Sequence, residues 1–179
     1  SAETYGTFCS SEYFLNVFAF FLIFAGIILD KMGIRFTGIL SAAVMVIGAS
    51  IKLYAISDLF SPESALYRFL DSFWTSFPPT AKLASVGFMI FGCGVEMGGV
   101  TVSKAIAKWF KGKEMALAMG LEMALARVAV FFIFTISPRL AGDINPTVVK
   151  PVAFCTALLL IGLLCFTIFC IMDKKFDKQ

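Results

Sequence analysis

Apolar residues run through this chain in long blocks separated by short polar stretches. A helix crossing a bilayer needs about 20 mostly apolar residues. Five blocks qualify: 13–29, 36–56, 83–107, 115–136 and 151–172. The pattern predicts five membrane-spanning helices. Asp30 to Arg35 and Lys108 to Glu114 read as tight polar turns. The connection 57–82 is longer. Ser61 there is placed to cap a helix with Pro62 in its first turn, and Pro78-Pro79 stops it. Leu66, Phe69, Leu70 and Phe73 fall at helical spacing, while Glu63, Arg68 and Asp71 interrupt the run. This piece is expected to lie at the interface rather than to span. The connection 137–150 is punctuated by Pro138, Gly142, Asn145 and Pro146.

Composition points the same way. The chain has 179 residues, 59% hydrophobic and 15% charged, with a mean hydropathy of +0.90. Soluble domains carry about a quarter charged residues, and small folds leave much of their surface wet. A bilayer solves the problem by being the solvent. The expected fold is an all-α polytopic membrane helix bundle. The net charge is only +3, and no basic cluster is interleaved with aromatics. No nucleic-acid partner is expected. Histidine is absent, which removes His triads, His metal sites and His pH switches. Cys9, Cys93, Cys155, Cys165 and Cys170 show no CxxC or zinc-like spacing, and four of them lie in apolar runs. No cofactor, no metal and no enzymatic constellation is expected. The chain opens on Ser1 with no charged segment before an apolar one, so no signal peptide is read. The start reads as a cut inside a longer protein.

Basic residues set the orientation. One side carries Lys31, Arg35, Lys108, Lys111, Lys113, Lys174, Lys175 and Lys178; the other carries Arg68, Lys82, Arg139 and Lys150. The first set is denser and sits in shorter loops, so it is assigned to the cytoplasm.

The first turn reads Gly26-Ile27-Ile28-Leu29-Asp30-Lys31-Met32-Gly33-Ile34-Arg35. It resembles the signature of the major facilitator superfamily, which lies between that family's second and third transmembrane helices. Gly26, Asp30, Lys31, Gly33 and Arg35 match, and Ile34 replaces the second basic position. Gly26 permits close helix approach, Gly33 permits a positive φ, and Asp30 can accept bonds from helix N-termini or from Arg35. The turn reads as a cytoplasmic gating clamp or as a plain cap on two helices. Gly92-Cys93-Gly94-Val95-Glu96-Met97-Gly98-Gly99 and Ala107-Lys108-Trp109-Phe110-Lys111-Gly112-Lys113-Glu114 extend the resemblance. The second of these is similar to the lysosomal dipeptide-transporter branch and its bacterial relatives. The resemblance implies that residues 1–179 are a partial N-terminal six-helix bundle. The first helix and the C-terminal half are missing, and the cytoplasmic linker begins at 173–179. It also implies a bacterial inner membrane ahead of an organelle membrane.

Charges at membrane depth mark function, because a lipid-facing charge costs several kcal/mol. Glu96 lies about 16 Å from the cytoplasmic end of its helix and Arg127 about 18 Å from the start of the next. Matched depth suits them to the amine and carboxylate of a zwitterion, or to a structural ion pair. Asn16 lines the pore or bonds across helices. Glu122, about 10 Å in, pairs with Lys104 or carries a proton. Lys52, near the outer end of its helix, snorkels. Gly94 with Gly98, and Ala116, Gly120 and Ala124, form small faces suited to helix packing. The expected function is a secondary transporter of a small polar solute, a short peptide or an organic anion, by alternating access. Its partners are that small-molecule substrate, the lipid bilayer and the missing C-terminal half. The alternative is a membrane scaffold or assembly protein that transports nothing.

Overall fold

The computed structural model describes residues 2–18, 20–73, 76–110, 112, 114–142 and 147–176. Ser1, Lys111, Lys113, Asn145, Pro146 and Lys178, named above, lie outside the described residues. Among the described residues six helices follow in order: α1 (Ala2–Phe18), α2 (Phe21–Ile56), α3 (Ala65–Asp71), α4 (Pro79–Trp109), α5 (Met115–Ala141) and α6 (Val149–Phe176). Four of these, α2, α4, α5 and α6, are long and apolar enough to cross a membrane. The chain is an all-helical, multi-pass integral membrane bundle.

The first expected span is not one helix. The backbone breaks at Phe20, which sits in the left-handed region at φ 49° and ψ 38°. A non-glycine residue there costs about 1–2 kcal/mol. The expected turn at 30–35 is present, but as a sharp bend within α2. Gly33 carries it at φ 81° and ψ 172°, outside helical geometry. The limb after the bend, 34–56, is itself long enough to span.

Two further boundaries differ from expectation. The cap of α3 is Ser64, whose hydroxyl accepts from the Tyr67 N–H at 3.1 Å; residues 61–64 form a turn before it. Proline at 79 opens α4 instead of closing α3, since its missing N–H is an orphan at a helix start. Of the expected apolar face of α3, Leu70 is buried, while Leu66, Phe69 and Phe73 are exposed. The Lys82 ammonium donates to the carbonyls of Leu70 and Phe73 and tethers this short helix to α4. Pro138 lies inside α5, which continues to Ala141. A membrane helix tolerates one such lost donor when neighbouring groups adjust.

The core lies between the second limb of α2 and α4, which run antiparallel. Small residues let the backbones meet. A Cβ added at Gly48 meets the Phe91 nitrogen at 2.5 Å, and one at Gly87 meets the Gly48 carbonyl oxygen at 2.8 Å. Gly94 seats against Ser41 and Met45 in the same way. A Cβ at Gly26 or at Gly120 meets nothing within 4 Å, so the close approaches read at those two glycines are not made. Buried hydroxyls on this interface bond back to their own helices, Thr37 to the Gly33 carbonyl at 2.9 Å and Thr101 to the Met97 carbonyl at 2.7 Å. Each of these two hydroxyls is thereby satisfied within its own helix, while the buried Ser85 hydroxyl has no partner among the described residues. Helix α6 packs on α2 with the Phe166 ring over Gly38. Helix α5 has no buried residue among those described.

Candidate functional site

One cluster closes the basic end of the bundle. Asp173, on the last turns of α6, is 1% exposed. Its Oδ2 accepts from Arg35 Nε at 2.7 Å, and its Oδ1 accepts from Lys108 Nζ at 2.8 Å and from Trp109 Nε1 at 3.1 Å. Three helices thus meet on one carboxylate: α2 through Arg35, α4 through Lys108 and Trp109, and α6 through Asp173. Nearer solvent, Lys104 Nζ donates to Asp30 Oδ1 at 2.6 Å. Lys104 is therefore engaged by Asp30 and not by Glu122. Arg35 turns to Asp173 and not to Asp30. Lys31 is exposed. Clamp residues Asp30, Gly33 and Arg35 line one cavity with Lys104, Lys108 and Asp173.

Asp173 escaped the sequence reading, which placed the start of the linker there; α6 continues to Phe176. A signal was present. An acidic side chain in the last turns of a helix opposes the helix dipole, and it follows an unbroken apolar run. Such a residue calls for cationic partners.

A second cluster lies in the middle of the bundle. Helices α1 and α4 run parallel, with a constant offset. The Phe8 ring stacks on Phe88 at 4.9 Å, and the Glu12 backbone seats against Gly92 one turn on. One turn further, the same register puts Asn16 level with Glu96. The Asn16 amide nitrogen and oxygen are both buried without a hydrogen-bond partner among the described residues. Glu96 is half-buried. Glu12 lies within electrostatic reach of both Glu96 and Lys52. The Lys52 ammonium does not snorkel out alone: it sits 4.9 Å from the Phe88 ring centre and 5.4 Å from that of Phe91. Glu12 and Lys52 were not singled out as site residues, although both are charges inside apolar stretches.

The structure does not bring Arg127 to Glu96. Arg127 is exposed on α5 and makes no ion pair among the described residues. Glu122 is half-buried on the same helix.

The relatives matched are transporters. The lysosomal dipeptide transporter MFSD1 of Bos taurus is 29% identical over 106 residues, 59% of this chain and 18% of that protein. MFSD1 of Mus musculus is 30% identical over 114 residues, 63% of this chain and 20% of that protein. MFSD1 of Gallus gallus is 38% identical over 64 residues, 36% of this chain and 13% of that protein. The matched stretch thus spans a fifth or less of the length of these relatives. No family model and no solved structure matches the chain. Vertebrate proteins named as lysosomal lend no support to the bacterial inner membrane expected from the sequence.

Proposed function

We propose that this chain is part of a secondary transporter that moves a small zwitterionic solute, a short peptide, by alternating access. The observation that carries this reading is the Asn16 amide, buried without a partner at the level of Glu96. A buried amide left unbonded costs about 1–3 kcal/mol, a cost that a bound polar ligand relieves. In this reading Glu96 receives the ammonium of the solute and Asn16 bonds its first amide. Arg127, at matched depth by residue count, takes the carboxylate with its two-pronged guanidinium. Glu122 carries a proton. These residues belong to the N-terminal bundle of a larger protein, whose other half supplies the facing wall. The names of the relatives support a peptide ahead of an organic anion or a sugar.

The Asp30, Lys31, Gly33 and Arg35 turn forms the gate in the same reading. Asp173 ties it to α4 and α6 when the basic end is closed, and rocking of one bundle on another breaks those bonds.

The test is ligand-induced stabilisation of the intact protein in detergent. Dipeptides should raise the unfolding midpoint in a concentration-dependent way, and Glu96→Gln should abolish the rise while leaving the unliganded midpoint near that of the parent. Equal stabilisation of the parent and of Glu96→Gln sinks the assignment of Glu96.

A further inference from the structure

An apolar groove of about 410 Å³ runs between α4 and α6 at the basic end of the bundle. Ala105, Ile106 and Trp109 form one wall, and Phe166, Phe169 and Met172 the other. The groove lies within the helices long enough to span. A void so lined does not hold water, which needs two or more polar partners. Trp109 stands in it edge-anchored: its N–H is bound to Asp173 at 3.1 Å, and its ring packs 6.3 Å from that of Phe169. The wall is held in place by the clamp.

Two cations stand just beyond the mouth of this groove. Lys175 follows Met172 by three residues, one turn nearer the end of α6, where i and i+3 side chains are neighbours. Lys174 adjoins it. Both are exposed, and neither is paired among the described residues. The nearby Lys108 and Lys104 are already neutralised, by Asp173 and Asp30. The two free ammonium groups therefore stand where an apolar slot meets the headgroup layer. By the basic-residue asymmetry, that layer is the cytoplasmic leaflet, the one rich in anionic lipid.

We propose that the groove is a binding site for an anionic phospholipid. One acyl chain lies between Trp109 and Phe169, and the phosphate and its anionic headgroup pair with Lys174 and Lys175. A zwitterionic lipid offers the same chain, but its own ammonium cancels much of the attraction. The lysines therefore set selectivity and the groove sets position. Because Trp109 belongs to both the groove and the clamp, an acyl chain in the slot braces the Asp173 cluster from its lipid side. The site stands on the groove and the two lysines alone, whether or not the protein moves a peptide.

The intact protein, reconstituted in nanodiscs of mixed phosphatidylglycerol and phosphatidylcholine, tests this by native mass spectrometry of the lipids that stay bound. Retained phosphatidylglycerol should exceed its share of the mixture. Lys174→Gln with Lys175→Gln should cut that excess by about fivefold for each lysine removed. Ala105→Phe, which fills the slot and leaves both lysines, should lower retained lipid of either kind at this site. A nitroxide-labelled acyl chain should quench a fluorophore attached at position 172 in the parent and not in Ala105→Phe. Equal retention of the two lipids by the parent overturns the proposal. So does a phosphatidylglycerol excess that survives both the double lysine variant and Ala105→Phe, and so does a cross-link showing another part of the protein seated on Trp109 and Phe169.

Discussion

Replacing Asp173 by asparagine removes one charge and almost no volume. Both carboxylate oxygens are in use, Oδ2 by Arg35 at 2.7 Å and Oδ1 by Lys108 at 2.8 Å and Trp109 at 3.1 Å. An amide can present an acceptor to only one side, so its NH2 must face a donor on the other. Arg35 and Lys108 then both lose the charge that Asp173 supplied between them. Breaking a buried ion pair by removing one partner costs about 3–5 kcal/mol. Here the Asp173 side chain is 2% exposed, but those of Arg35 and Lys108 are 37% and 30% exposed. Water can reach both cations once they are released, which discounts the cost to about 2–3 kcal/mol. Arg35→Gln should cost less, because Asp173 keeps Lys108 and Trp109. The assay is a double-mutant cycle read from the unfolding midpoint of the intact protein in detergent. Asp173→Asn should be the more damaging single change. The double variant should recover about 1 kcal/mol or more against simple addition. Additivity within about 0.5 kcal/mol, or an Asp173→Asn variant as stable as the parent, refutes the three-helix clamp.

Two glycine contrasts follow from the same geometry. Gly33→Ala forces a Cβ into a backbone at φ 81° and ψ 172° with nothing within 4 Å to clash, so its cost is conformational, about 1–3 kcal/mol. Gly26→Ala, in open space at a helical position, should be nearly neutral; thermal unfolding of the pair separates strain from packing. Gly87→Leu meets the Gly48 carbonyl oxygen at 2.8 Å and the Lys52 nitrogen at 2.8 Å, both backbone atoms that cannot give way cheaply. It should cost about 3 kcal/mol or more, read as a collapse in the monodisperse yield after extraction.

How much of this was legible in the sequence differs by feature. The helices of the membrane fold were, because block length and apolarity are counted directly. The break at Phe20 was not: no glycine or proline marks it, and only tertiary context holds an aromatic residue at φ 49°. The bend at Gly33 was readable, since glycine alone takes φ 81° without steric cost. The partners of the clamp were not. Asp30 and Arg35 share a turn, yet their bonds go to Lys104 and to Asp173, which lies 138 residues along the chain from Arg35. Local spacing carries no information on which distant helix end arrives there. The level shared by Asn16 and Glu96 was hidden for the same reason, because it depends on α1 lying parallel to α4. Depth counting placed Glu96 and Arg127 at similar heights but could not tell that α5 stands apart from the core.

The central claim is a solute site at the level of Asn16 and Glu96 in a transporting protein. Its most direct test is uptake of a labelled dipeptide mixture by proteoliposomes holding the intact protein, with Glu96→Gln and Arg127→Ala measured alongside. Uptake by the parent should be lost in both variants, each still folded and inserted. Uptake unchanged in Glu96→Gln contradicts the site, and no uptake of any peptide by folded parent protein contradicts the peptide assignment.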